Sequence, residues 1–361
     1  MKTLIKYIKE NIIIFIAFLS SLICSGLIIF LLGENPIRIF IIFFNGAFGS
    51  WNNLGYTLFF ATPLIFTGLS VAICFRGGLF NIGAEGQLYI GTFACAYIGF
   101  KFLNLPGFLL IPLSVLFSAL AGGFWGLIPG YLKARTGAHE VINTIMLNFI
   151  AVGLTGYFAS GPFQAVGDQI PETSLISESA HLPRIGEILK IVGLNYPDSV
   201  PLNFSFIIAV ILCILVYFMF KYTTLGYEIR AVGFNKNVAM ASGINVNWII
   251  TLTFVISGAI AGLVGTNEVM GYRYRFLDNF SAGYGYMGIA VALLGRNHPA
   301  GVFISAVIFG AIMRGGLLID IYSDKISKDV VYIIQGILIL FIISGELWKK
   351  LRSRLIANRV V

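Results

Sequence analysis

The chain has 361 residues, 58% of them hydrophobic and only 11% charged, with a formal net charge of +8 and a mean hydropathy of +0.89. Soluble domains carry about a quarter charged residues, so this composition excludes a cytosolic enzyme, a disordered chain and a secreted disulfide scaffold. At ~20 apolar residues per crossing, the length leaves room for roughly ten membrane spans.

Lys2, Lys6 and Lys9 precede the first apolar run, 12–32. That run exceeds the ~7–15 residues of a signal-peptide apolar region and no A-x-A-type site follows it. Leu22-Ile23-Cys24 places bulky Ile23 where a lipoprotein processing site needs a small residue. The first run is therefore expected to stay as an uncleaved span. Residues 37–48 are apolar but too short to cross and are predicted as an interfacial helix. Further spans are predicted over 53–75, 82–102, 108–131, 141–160, 202–220, 247–267, 283–295, 298–318 and 331–345, of which 283–295 is short. The fold class is all-α: a polytopic membrane bundle of about ten transmembrane helices in a single domain, 1–361. Cys24, Cys74, Cys95 and Cys213 lie within apolar runs without C-x-x-C spacing and read as small buried hydrophobes.

The stretch from Arg76 to Gln87 gathers Gly77, Gly78, Gly83 and Gly86 with polar Asn81, Glu85 and Gln87. Each Gly costs about 1 kcal/mol relative to Ala in a helix, so a broken, half-membrane helix is predicted here, facing protein or a water-filled cavity. A second break is predicted at 280–288, which contains Gly283, Tyr284, Gly285, Tyr286 and Gly288. Both breaks follow similar spans, and in this topology they cross in opposite directions, as an inverted repeat would. Gly122, Gly126 and Gly130, like Gly258 and Gly262, stand instead in G-x-x-x-G steps that predict close helix packing.

Glu85, Gln87, Asn143, Thr144 and Asn148 lie within or at the edges of spans. Thr144 and Asn148 share one helix face, which Glu140 extends. A carboxylate inside a bilayer costs on the order of 3 kcal/mol, and two readings stand for it. Either Glu85 pairs with Arg76 or caps freed amides while the asparagines bridge helices, or the group hydrogen-bonds a polar solute midway across. The connector 221–245 is too polar to span. It reads either as a solvated loop or as a short surface helix, helix-compatible at 238–242, that docks a partner. The loop 161–201 is acidic and suits an external face. With ten crossings, fifteen of the 24 Lys and Arg residues fall on the side of the N-terminus, which places both termini in the cytoplasm.

Chemical motifs are few. Gly283, Gly285 and Gly288 match a dinucleotide fingerprint but follow no strand, and His139-Glu140 lacks the second histidine of a zinc protease, with Asn143 in its place. There is no nucleophile elbow and no phosphate-binding loop. The basic residues form no aromatic-laced patch, which excludes nucleic acid. No catalytic residue, metal or resident cofactor is expected, so energy for any work comes from elsewhere. The rival classes are an intramembrane enzyme, which needs an acidic or histidine cluster, and a passive channel or secondary transporter, which needs no docking helix.

The string from Phe75 to Gln87 resembles the signature of ABC-importer permeases of the nucleoside type. These form a branch of the group that also serves ribose and branched-chain amino acids. Gly137–Asn148, Thr224–Asn245 and Ala290–Gly301 agree with it, and the resemblance runs from about Asn35 to Gly345. It implies a bacterial plasma-membrane permease paired with a second related permease, as hetero- or homodimer. It also implies a cytoplasmic ATPase that holds the ATP and Mg, an external solute-binding lipoprotein, and a nucleoside carried by alternating access within membrane lipid; ribose or another simple sugar is the alternative. The resemblance places a coupling helix within Gly226–Gly243, with Arg230, Ala231, Gly233, Asn235 and Ala239 in matching positions. It puts Asn81, Glu85, Gln87, Asn143 and Asn148 near the solute path, with Phe80, Tyr284 and Tyr286 as candidates to flank the base. The acidic loop and the Arg273/Arg275 loop are expected to help the binding protein dock.

Overall fold

A computed structural model describes residues 23–323 except 168, 192, 194, 195 and 198, together with residues 20, 332, 333, 336, 337 and 340. The described residues form helices and loops, with isolated bridges but no strand. They divide into two compact units, one over Leu58–Gly310 and one from the segments up to Thr57 and from Ala311 onward.

Among the described residues six helices are long and apolar enough to cross a membrane: Trp51–Arg76, Gly107–Thr136, Glu140–Ser160, Ser205–Tyr222, Val246–Arg273 and Pro299–Tyr322. Each coincides with a predicted span. The expected span at 82–102 is the helix Ala84–Lys101, whose 18 residues rise about 27 Å. Its first turns hold Glu85, Gly86 and Gln87, and it is not among the six. The expected span at 283–295 is the helix Tyr284–Leu294, whose 11 residues rise only about 16 Å, roughly half of a ~30 Å hydrocarbon core. Of the expected span at 12–32, residues 20 and 23–31 are helical and 32 is a turn; residues 12–19, 21 and 22, most of 331–345, and the lysines and arginines of both termini lie outside the described residues.

The heart of the larger unit is the packing of Gly107–Thr136 against Val246–Gly262, with Ala84–Lys101 alongside. The glycine steps are the reason the backbones meet. A Cβ on Gly122 would overlap the Gly258 carbonyl oxygen, and one on Gly262 would overlap that of Ser118. Lipid offers no hydrophobic drive between helices, so close van der Waals approach of this kind carries association. Gly258→Val is therefore expected to lower the melting temperature of the purified protein measurably. Overpacking at about 1–3 kcal/mol outweighs the propensity gain of replacing a helical glycine, which is about 1 kcal/mol for alanine and less for β-branched valine, and an unchanged or raised melting temperature would show that the backbones have room.

In the smaller unit Pro36–Phe48 is helical, N-capped by Asn35, whose Oδ1 accepts from Ile37 N at 3.0 Å. Ile39 joins Ile29 and Ile319 in a small core. The outward residues Ile37, Ile41, Phe44 and Phe48 are apolar too. Arg38 and Asn45 are exposed as well, so the helix sets a buried face of Ile39, Gly46 and Ala47 against a mixed outer one. Arg314 donates to Asn53 Oδ1 at 2.9 Å and lies 4.0 Å over the Tyr56 ring.

The acidic loop and the Arg273/Arg275 loop turn out to bind each other. Glu172 pairs with Arg275, Thr173 N donates to Phe276 O at 2.9 Å and Ile176 N to Tyr274 O at 2.8 Å. Arg273 faces Glu268 at 3.5 Å. Both arginines are therefore engaged within the chain, and Glu178 and Glu187 are the exposed acids of this layer. The expected acids Asp168 and Asp198 lie outside the described residues.

Candidate functional site

The break after Arg76 is built by its glycines. Gly78 adopts φ +67°, and the helix closes with Leu79 N donating to Cys74 O at 2.9 Å and Gly78 N to Phe75 O at 3.1 Å. This is the paired bond pattern of a helix ended by a left-handed residue, which glycine enters without a Cβ penalty. The chain then runs unwound to Gly83 before Ala84 starts the next helix.

That unwound segment leaves backbone groups unpaired inside the protein, and buried polar side chains take them up. Asn81 Oδ1 accepts from Gly83 N at 2.9 Å and from Gln87 Nε2 at 3.3 Å, while its Nδ2 donates to Gln87 Oε1 at 2.9 Å and to Ser257 Oγ at 2.8 Å. Asn148 Oδ1 accepts from Gly86 N at 2.8 Å, and its Nδ2 donates to Ile82 O at 3.0 Å and Tyr286 OH at 3.3 Å. Glu85, 5% exposed, accepts from Gly285 N at 2.6 Å through Oε2. A carboxylate at the first turn of Tyr284–Leu294 satisfies an orphan N–H and faces the positive end of that helix.

The two predicted breaks thus meet. Glu85 pairs not with Arg76, which donates to Asn297 O at 2.7 Å, but with the backbone of the second break. Asn81, Glu85, Gln87, Asn148 and Tyr286 come together in one junction of four helices. Tyr284 is buried beside Gly285, and Tyr286 is half-exposed. Phe80 packs edge-to-face on Phe75, with ring centroids 4.8 Å apart. Asn143 stands apart: its Nδ2 has no hydrogen-bond partner among the described residues. Glu140 pairs with Lys133 at 2.6 Å, and Thr144 is fully buried.

The connector 221–245 is a helical hairpin. Thr224–Phe234 is N-capped by Thr223, and Lys236–Ala241 by Asn235, whose Oδ1 accepts from Asn237 N at 2.9 Å. Gly243, at φ +83°, ends it through Ile244 N to Ala239 O at 3.1 Å. Gly226 and Ala239 are buried, Ala231 is half-buried, and Arg230 Nε donates to Gly226 O at 3.2 Å. Gly233 lies against the first break: a Cβ there would overlap the Arg76 carbonyl and stand 3.0 Å from Gly77 C and Gly78 N. Backbone therefore meets backbone between the hairpin and the unwound segment that leads to the junction.

Sequence reasoning missed the outward face of this hairpin. Phe234 is 91% exposed, and Val238 and Met240 are exposed too; apolar residues four apart in an otherwise polar connector were the available signal. It also missed Ser257, and a second polar cluster on the π-helix Thr266–Arg273, where Glu268 and Asn267 are buried and Asn203 Nδ2 donates to Asn267 Oδ1 at 3.2 Å. The predicted span stopped one residue before Glu268. Wide-turn helix of this kind is rare and concentrates at functional sites.

Residues 53–343 match the family described as the permease component of the branched-chain amino acid transport system. The chain is 38% identical over 345 residues to the guanosine ABC transporter permease protein NupP of Bacillus subtilis, covering 95% of each. It is 35% identical over 331 residues to the nucleoside ABC transporter permease protein NupB of Lactococcus lactis subsp. cremoris, covering 91% of this chain and 89% of the relative. It is 32% identical over 341 residues to the glucose ABC transporter permease protein TsgB13 of Haloferax volcanii, covering 94% and 89%. No solved structure matches it significantly. With a family match across most of its length and relatives of this kind over nearly all of it, the chain belongs to the ABC-transporter permeases of the branched-chain amino acid transport type.

Proposed function

We propose that this chain is a permease subunit of an ABC importer that takes up nucleosides. The observation that carries this reading is identity of 38% and 35% to permeases named for guanosine and nucleosides, over more than nine-tenths of the chain. In this reading the whole chain is one permease domain that crosses ten times with both termini in the cytoplasm. The segments 12–32 and 331–345 and the helices beginning at Ala84 and Tyr284 complete the count, and the breaks at 77–87 and 280–288 that lead into the last two are related as an inverted repeat. The loop 161–201 is external, and 221–245 faces the cytoplasm.

The chain performs no chemistry of its own. A partner ATPase binds ATP and Mg and grips the hairpin, an external lipoprotein delivers the solute, and a second related permease forms the other wall of the path. Supporting this, the hairpin leaves Phe234, Val238 and Met240 exposed, apolar side chains that a partner seated on it would cover. Gly226, Arg230, Ala231, Gly233, Asn235, Ala239 and Gly243 shape and hold it. Movement of the hairpin passes through Gly233 to the break, and from there to the junction of Asn81, Glu85, Gln87, Asn148, Tyr284 and Tyr286 beside the path. Phe80 and Asn143 offer an aromatic ring and an amide. A neutral nucleoside needs amides, hydroxyls and rings rather than a counter-charge.

ATP-dependent accumulation of labelled guanosine by vesicles holding the complete importer tests this reading, and absence of uptake with intact ATP hydrolysis would refute it. A simple sugar is the second reading, favoured by the relative named for glucose; glucose or ribose accumulating in place of guanosine would establish it. Val238→Asp is expected to cut recovery of the partner ATPase on copurification about tenfold or more, since a charge in place of an apolar contact residue opposes burial. Undiminished recovery would remove this face from the interface.

A further inference from the structure

Three membrane helices end around one point: Trp51–Arg76 at its last residue, Ser205–Tyr222 one residue past Lys221, and Pro299–Tyr322 at its first. There a cleft of about 170 Å³ is lined by Arg76, Lys221, Arg230, His298, Tyr217 and Phe220. A second cleft of about 340 Å³ shares Arg76 and Arg230 and adds Arg296. No carboxylate lines either one. The contacts that hold the cations leave their charge in place: Arg76 lies 4.7 Å over the Phe220 ring and donates to Asn297 O, Lys221 donates to Tyr217 OH at 3.0 Å, and Arg230 to Gly226 O. His298 adds an imidazole to the lining, its ring 5.8 Å from that of Tyr217.

An apolar stripe leads away from the first cleft. Ile211, Ile214, Leu215 and Phe218 are each about half exposed, and their spacing puts them on one face of the helix that ends at Lys221. A cationic recess at the end of membrane helices, opening onto a greasy stripe, matches a phospholipid in both its parts. We infer that the Arg76–Lys221–Arg230 cleft binds the phosphate of an anionic phospholipid whose acyl chains lie along the Ile211–Phe218 stripe. Free phosphate would use the cations and ignore the stripe, and an acidic segment of a partner protein would reach the cations from the aqueous side without covering it.

The full chain in nanodiscs of equal phosphatidylglycerol and phosphatidylcholine, released into native mass spectrometry, tests this. The expected result is preferential retention of phosphatidylglycerol, reduced about fivefold by Lys221→Gln and by Arg230→Gln, the effect of removing one cation near an anionic lipid surface. Lys101→Gln, at the far end of another helix, is expected to leave retention unchanged. Equal retention of the two lipids, or retention unaffected by both cleft variants, would overturn the inference. So would full displacement of phosphatidylglycerol by excess inorganic phosphate, which would mark a free-phosphate site. Loss of ATPase copurification in Lys221→Gln with lipid retention intact would instead assign the cations to a protein partner and also overturn it. None of these readouts depends on which solute is carried.

Discussion

Gly233→Val is expected to lower solute uptake by about 100-fold, the scale of effect that a misplacement near 1 Å produces in a positioned assembly, while the chain remains inserted and the partner ATPase still hydrolyses ATP. A Cβ at this position overlaps the Arg76 carbonyl and crowds Gly77 and Gly78. All three contacts are backbone, so no side chain can rotate away, and Gly78 is fixed in a left-handed conformation by the end of its helix. The hairpin must therefore lift from the break, which severs the contact through which its movement reaches Asn81 and Glu85. Ala241→Val, at an exposed position of the same hairpin, is the control and should transport normally. Uptake in Gly233→Val that stays in proportion to ATP hydrolysis would show that force passes elsewhere.

Much of this was legible in the sequence because it depends on local chemistry. Gly77-Gly78 ends a helix wherever it stands, and the G-x-x-x-G steps at Gly122 and Gly258 specify close approach before the partner helix is known. The six long spans follow from apolar length alone. What the sequence left open was which distant groups would meet. Glu85 had three candidate fates, and the choice depended on Gly285, two hundred residues away, presenting a bare N–H at a helix start. The arginines at 273 and 275 looked like free docking charges because Glu172, the partner of Arg275, lies in a distant segment, and because Glu268 comes to face Arg273 only through the wide turn of the helix they share. Glu268 itself was hidden because the predicted span stops at 267, while the helix continues with a wider turn. Phe234 and Val238 escaped notice because two apolar residues in a polar connector give little hydropathy signal, although their exposure makes them the face a partner would cover.

Asn148→Ala is expected to destabilise the chain by about 2 kcal/mol. The variant leaves Gly86 N–H, the Ile82 carbonyl and the Tyr286 hydroxyl without their partner. In aqueous proteins a single orphaned buried group costs about 1–3 kcal/mol. Within membranes each hydrogen bond averages nearer ~0.6 kcal/mol, because the unfolded chain in lipid also finds partners. Three lost bonds at the membrane value and one orphan at the aqueous value converge on the same figure, which a melting curve in detergent resolves. Glu85→Gln supplies the contrast. Its amide oxygen can still accept from Gly285 N–H, so it should melt close to the native temperature, whereas Glu85→Ala, which leaves that N–H bare, should not. If these side chains build the junction, transport follows the melting order, with Gln above Ala. A variant of Glu85 or Asn148 that melts normally yet raises the KM for solute would assign that side chain to the solute itself.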